Sequence, residues 1–216
     1  MRIPEKSVYI VEDEESLGVS LKIVLDASGF STKVFASAHS FQKFCKEVPA
    51  IFDRPGCLLL DVRLPDMLGP DLFVKFRSEH KNNCITTLFM TGHGDTEMAV
   101  KLMKLGAFDY LSKPFNPHHL IEKLEAAYQR SLGRFGDQQF VNLFHDKVSH
   151  LSPHEKKVMQ LMLEHMTTKE IAEDMANSTR TVEVHRANVL KKMECASAAE
   201  LAQQNERYRL LSDFNP

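Results

Sequence analysis

GCLLLD, residues 56–61, is apolar at odd and even positions alike and then ends on a carboxylate. A strand with one wet face alternates in hydropathy; a strand buried on both faces of a parallel sheet does not. Working outward, SVYIVE (7–12), TKVF (32–35), ITTLFM (85–90) and FDYL (108–111) read as companion strands. Between and after them lie helix-length segments at about 15–28, 37–47, 70–79, 95–104 and 117–131. Five strands alternating with five helices predict a doubly wound α/β domain with a parallel sheet, here residues 1–130. Such a sheet places its site beyond the carboxyl ends of its strands, at the topological switch point.

The rest of the chain changes rhythm. Residues 131–149 read as a joint, because Gly133 and Gly136 interrupt the helical pattern. Its Phe140, Val141, Leu143, Phe144 and Val148 favour a helical connector over a flexible linker. From 150 to 216 the strand patterns stop. Ser152–Glu155, Thr167–Glu170 and Ser197–Glu200 are capping-box spacings, and Ser178 is a further cap candidate. They predict short helices at about 153–165, 168–176, 179–193 and 197–209, with only Asn177-Ser178 between the second and third. Two short helices joined by a tight turn match a helix-turn-helix.

Composition excludes several classes. No run approaches the roughly 20 apolar residues of a membrane span, and the opening MRIPEKSVYIVEDEE reads as no secretory leader. Cys45, Cys57, Cys84 and Cys195 are scattered, which fits reduced thiols and a cytoplasmic location better than a disulfide scaffold or zinc site. The formal charge of −2 does not advertise nucleic-acid binding, yet residues 177–193 carry Arg180, Arg186, Lys191 and Lys192 against Glu183 alone.

At the strand ends stand Glu12 and Asp13, Asp61, Thr91, and Lys113 before Pro114. Parallel strands bring these ends to one rim. Crowded carboxylates repel unless a cation joins them, and hard oxygen ligands suit Mg²⁺. A carboxylate facing such a metal can act as a nucleophile toward phosphorus. An Asp after three leucines in a buried strand is costly without a purpose. Glu12 and Asp13 could instead cap the first helix, Tyr110 could be a plain half-buried aromatic, and His93 is a loop residue at the site's edge.

VEDEE, LLLDVRLPDMLG, FMTGHGD and GAFDYLSKPF, in that order, resemble the receiver domain of two-component response regulators over roughly residues 6–130. The resemblance implies a flavodoxin-like fold with Asp61 as phosphoacceptor and a sensor histidine kinase as donor. Asp13, Asp61 and the backbone carbonyl of Arg63 would hold Mg²⁺ or Mn²⁺, with Glu12 completing the acidic pair. Lys113 would grip the phosphoryl group, with a cis bond before Pro114, and Thr91 and Tyr110 would form the switch pair. The family's usual Asp is replaced by Glu12, one methylene longer, so metal contact through water is expected there.

K-E-I-A followed by S-x-R-T-V-E-V-H-R-A-N-V resembles the four-helix DNA-binding domain of the NarL/FixJ, or LuxR-type, class over about 150–205. The two resemblances together imply a FixJ-type regulator that dimerises on phosphorylation and binds double-stranded promoter DNA, with RNA polymerase a further candidate partner. Glu183, Val184 and Ala187 fall where base contacts are made. Lys169, Thr181, His185, Arg186, Asn188 and Lys191 are candidates for phosphate or groove-edge contacts, although Thr181 could equally be a helix-start hydroxyl and His185 a packed ring. Lys192 reads as merely solvated. The family's glycine before the second helix is replaced near His165-Met166. Two other classes compete. A haloacid-dehalogenase-type hydrolase needs a second Asp two residues after the nucleophile, where Arg63 stands. A receiver-like dimerisation module would bind DNA without phosphate.

Overall fold

A computed structural model describes residues 5–80, 83–92 and 96–213. It divides into two compact units, one ending at Gly136 and the other beginning at Asp137.

The first unit alternates strands and helices, the last helix continuing past Gly136: β1 (Ser7–Val11), α1 (Glu15–Ala27), β2 (Ser31–Phe35), α2 (Ala38–Glu47), β3 (Gly56–Asp61), α3 (Gly69–Glu79), β4 (Thr86–Thr91), α4 (Thr96–Lys104), β5 (Asp109–Ser112) and α5 (Pro117–Ser149). A short 3-10 turn, Pro49–Ile51, precedes β3 and carries no signal in the sequence reading. All strands pair in parallel in the order β2-β1-β3-β4-β5. The chain therefore reverses its direction of travel across the sheet between β1 and β3, where a doubly wound fold opens its crevice.

The GCLLLD pattern is explained by packing on both faces. Leu58 and Leu60 join Val11, Phe35 and Phe89 in one core with Phe41, Leu72, Phe76 and Leu102 from α2, α3 and α4. Cys57 and Leu59 point the other way, joining Val8, Ile10, Leu88 and Met90 against Leu21 and Leu25 of α1 and Leu120 and Leu124 of α5. Every residue of β3 is buried. Fully burying one leucine contributes about 1.5–3 kcal/mol, so these leucines hold the strand in place and oblige its terminal Asp61 to follow.

The joint at 131–149 is helical throughout, as part of α5. Gly133 and Gly136 do not break the helix, and open space surrounds the position a Cβ would take at each. In the second unit, α6 (Pro153–Leu163), α7 (Thr168–Asp174), α8 (Thr179–Met193) and α9 (Ala198–Asp213) enclose a core of Val158, Met159, Met162, Ile171, Val182, Val189, Met193 and Leu201. The capping boxes at Ser152–Glu155 and Thr167–Glu170 form as read. At Ser197 the hydroxyl accepts the Glu200 N–H, but the Glu200 carboxylate accepts from Ala196 N–H instead of closing the box. The second helix ends two residues earlier than expected, so the helix-turn-helix turn is Met175–Ser178, with Ala176 at φ 49°. His165, standing near the family's glycine, adopts φ 62°, the left-handed region that glycine ordinarily serves. Among the described residues no helix is long and apolar enough to cross a membrane.

Candidate functional sites

Register assembles the first site. Val11 pairs with Leu60, Leu60 with Phe89, and Phe89 with Tyr110, so the residues just beyond that row reach one rim together. Glu12, Asp13, Glu14, Asp61, Val62, Arg63, Thr91, Gly92, Met98 and Lys113 line a single open cleft there. His93, read as an edge residue, lies outside the described residues. Tyr110 is half-buried, packs against the core, and is not among the residues lining the cleft.

Lys113 organises the charges. Its Nζ lies 2.5 Å from Glu12 Oε2 and 2.5 Å from Asp61 Oδ2, and the Lys113–Pro114 bond is cis. Glu12 is 2% exposed and Asp61 7% exposed, so both carboxylates depend on partners inside the protein rather than on water. Burial pushes the Glu12 carboxyl above its ordinary value, against the pull of the Lys113 ammonium. Burial disfavours the Lys113 charge, but its hydrogen bonds to Asp61 and Glu12 outweigh that and hold its pKa above the usual lysine value. Arg63 N–H donates to Asp61 Oδ1 at 3.0 Å, which orients the carboxylate from behind.

Carboxylate oxygens of Glu12, Asp13 and Asp61 lie within 4.8 Å of one another, with Asp13 exposed to solvent. The acids lining the cleft, Glu12, Asp13, Glu14 and Asp61, outnumber Arg63 and Lys113, leaving a surplus of negative charge that a hard divalent cation would balance. The oxygen donors, their spacing and the solvent-facing Asp13 fit a Mg²⁺ site, since that ion keeps several waters.

In the second unit α8 presents two faces. Val182, Val189 and Met193 are fully buried, and Leu190 is half-buried. Glu183, Val184, Ala187, Asn188 and Lys191 are exposed on the helix, and Lys169 is exposed on α7. Val184 is 56% exposed, an apolar side chain held in water on a polar face. Thr181 exchanges a 2.8 Å hydroxyl hydrogen bond with Ser178 and belongs to the helix start. His185 is half-buried, stacked nearly parallel to His154 at 6.1 Å, and its Nδ1 is buried with no hydrogen-bond partner among the described residues. Arg186 is half-buried and reaches Met166 C=O weakly, at 3.4 Å. Lys192 is not merely solvated: it donates to Glu155 Oε2 at 2.6 Å and to His150 C=O at 3.3 Å. Nothing in its local sequence signals this, because Glu155 stands 37 positions away.

Comparisons with known proteins agree with both geometries. Residues 8–125 match the response regulator receiver domain, and residues 149–204 match the bacterial regulatory proteins of the luxR family. The chain is 38% identical over 210 residues to the transcriptional regulatory protein FixJ of Rhizobium meliloti, covering 97% of this chain and 98% of that one. It is 38% identical over 196 residues to the C4-dicarboxylate transport transcriptional regulatory protein DctR of Rhodobacter capsulatus, covering 91% and 97%. The solved structure of the response regulator StyR is similar over 94% of this chain and all of its own, at 30% identity and a TM-score of 0.83. A receiver joined to a luxR-type domain does not favour the phosphate-independent dimerisation module. The chain belongs to the response regulators with a luxR-type helix-turn-helix, as a phosphorylation-switched, DNA-binding regulator of transcription.

Proposed function

We propose that Asp61 is the phosphoacceptor, supplied by a sensor histidine kinase in the cytoplasm. An Asp61 carboxylate oxygen attacks the phosphorus of a phosphohistidine protonated on its other ring nitrogen; a P–O bond forms as the P–N bond breaks, and the imidazole leaves neutral, keeping that proton. Lys113 neutralises the phosphoryl oxygens during transfer. Glu12, Asp13, Asp61 and the backbone carbonyl of Arg63 would hold Mg²⁺ or Mn²⁺, which when bound would offset charge on the same oxygens. The chain acts as a regulator that accepts phosphate, not as an enzyme on other substrates.

The observation that carries this reading is the Lys113 ammonium held at 2.5 Å from both Glu12 and Asp61, at the rim where the acids converge. A phosphoryl group adds about −1.5 to −2 charge at neutral pH. Thr91 donates a hydrogen bond to it and moves inward, and Tyr110 turns into the space released. The new surface favours a homodimer, which presents two α8 helices to an inverted repeat with half-sites about 34 Å apart. Glu183, Val184 and Ala187 read bases; Lys169, His185, Arg186, Asn188 and Lys191 contact phosphates or groove edges.

Incubation with acetyl phosphate and Mg²⁺, followed by intact-mass analysis, tests the assignment. Wild type gains one hydroxylamine-sensitive phosphate, and Asp61→Asn gains none while keeping its fold. Wild-type phosphate levels on Asp61→Asn refute it. Thr91→Ala accepts phosphate without dimerising by light scattering, and Arg186→Ala dimerises without shifting DNA.

A further inference from the structure

We propose that Asp66 is a positioning residue for the metal-binding loop, tethering the segment after Asp61 to the amino end of α2. The proposal rests on the reading of Asp61 and Mg²⁺ given above.

The loop from Val62 to Leu68 is closed on itself. Gly69 N–H donates to Val62 C=O at 2.9 Å, and Arg63 and Leu68 form an antiparallel bridge. Leu64 and Met67 pack against the core under α2 and α3. Between them Asp66 reaches back 28 positions: its Oδ1 accepts from Ala38 N–H at 3.1 Å and its Oδ2 from His39 N–H at 2.8 Å. These are the first two amides of α2, which no carbonyl inside a helix can satisfy. The third, Ser40 N–H, is taken locally by Ser37 Oγ at 3.1 Å.

The amino end of α2 is thus shared between a local hydroxyl and a remote carboxylate. Ser37 with Ser40 already forms a capping box, which suffices to start a helix. A carboxylate delivered from another loop ties down the loop as well. One oxygen on each of two adjacent amides fixes the orientation of the side chain, and hence of the backbone carrying it. Arg63, whose carbonyl the metal reading uses, lies between this tether and Asp61, and its N–H is bonded to Asp61. Partners that orient metal ligands are typically worth about 10–100-fold in metal affinity.

The test is a MgCl₂ titration of the full chain, followed by amide NMR of residues 61–69, with hydrogen exchange measured at Ala38 and His39. Asp66→Ala raises the half-saturating Mg²⁺ roughly 10-fold and speeds exchange at both amides. Asp66→Asn, which keeps one acceptor oxygen, recovers part of each effect. Ser37→Ala weakens the same helix end without touching the loop and leaves Mg²⁺ binding near wild type. The proposal is overturned if Asp66→Ala binds Mg²⁺ as wild type does, or if Ser37→Ala weakens binding equally. A wild-type chain that shows no response to Mg²⁺ overturns the metal reading itself, and the proposal with it.

Discussion

Replacing Glu155 with Gln isolates one buried charge in the DNA-reading unit. Glu155 is 4% exposed; its Oε2 accepts from Ser152 N–H at 2.8 Å and from Lys192 Nζ at 2.6 Å. The Lys192 ammonium and the Ser152 amide hold its carboxyl down at about 2, against an ordinary 4.5. At about 1.36 kcal/mol per unit, that depression is worth at most roughly 3 kcal/mol of stability at neutral pH. The Lys192 side chain is 41% exposed, so water screens the pair and the expected contribution is about 1–2 kcal/mol. The sign follows from the depressed value: the contribution is complete above about pH 4.5 and is lost as pH falls toward 2. Glu155→Gln keeps an oxygen for Ser152 but loses the charge. Urea unfolding of the full chain, read through the NMR methyl signals of Val158, Val182 and Val189, checks this on the second unit alone. With a slope near 1 kcal/mol per molar urea, the variant's midpoint falls by about 1–2 M at pH 7. The gap closes as both proteins are taken to pH 2. A gap equally wide at pH 7 and pH 2 would show that shape, not charge, links α6 to α8, and would refute the reasoning.

Three further outcomes are expected. In Gly69→Ala the new Cβ would stand 2.1 Å from the Asp61 carbonyl oxygen, so the loop must shift; phosphate incorporation from acetyl phosphate falls at least about tenfold, the effect of roughly 1.4 kcal/mol, and retention of the wild-type rate would count against a rigid approach there. Gly133→Ala and Gly136→Ala each stabilise α5 by about 0.5–1 kcal/mol, since nothing blocks the added methyl; slower hydrogen exchange across residues 130–140 is the measurement. Asp13→Ala raises the Mg²⁺ needed for phosphorylation more than Glu12→Ala does, because Asp13 is solvent-facing while Glu12 is turned to Lys113; equal or reversed effects reject that division of roles.

Local sequence was enough wherever a local interaction decides the outcome. The doubly buried β3 declares itself because both parities of GCLLLD are apolar, and the helix starts at Pro153 and Thr168 because their capping residues stand three positions apart. The acids at the strand ends were legible for the same reason: a charged residue terminating a buried strand marks itself. Other features required distant residues to meet. The glycines in α5 weaken a helix without ending it, so residues 131–149 could not be settled by propensity alone. The left-handed turns at His165 and Ala176 fall on exposed residues whose type does not request them, and are closed by backbone hydrogen bonds from Met166 N–H to Leu161 C=O and from Asn177 N–H to Ala172 C=O. Lys192 on Glu155, Asp66 on Ala38 and His39, and Lys113 between Glu12 and Asp61 join positions 27 to 101 residues apart. The sequence determined which groups the strand ends and recognition helix carry, because pattern and periodicity act over a few residues. Only the tertiary structure decided which charge each of them faces, because an ion pair depends on distance through space and leaves no mark on spacing along the chain.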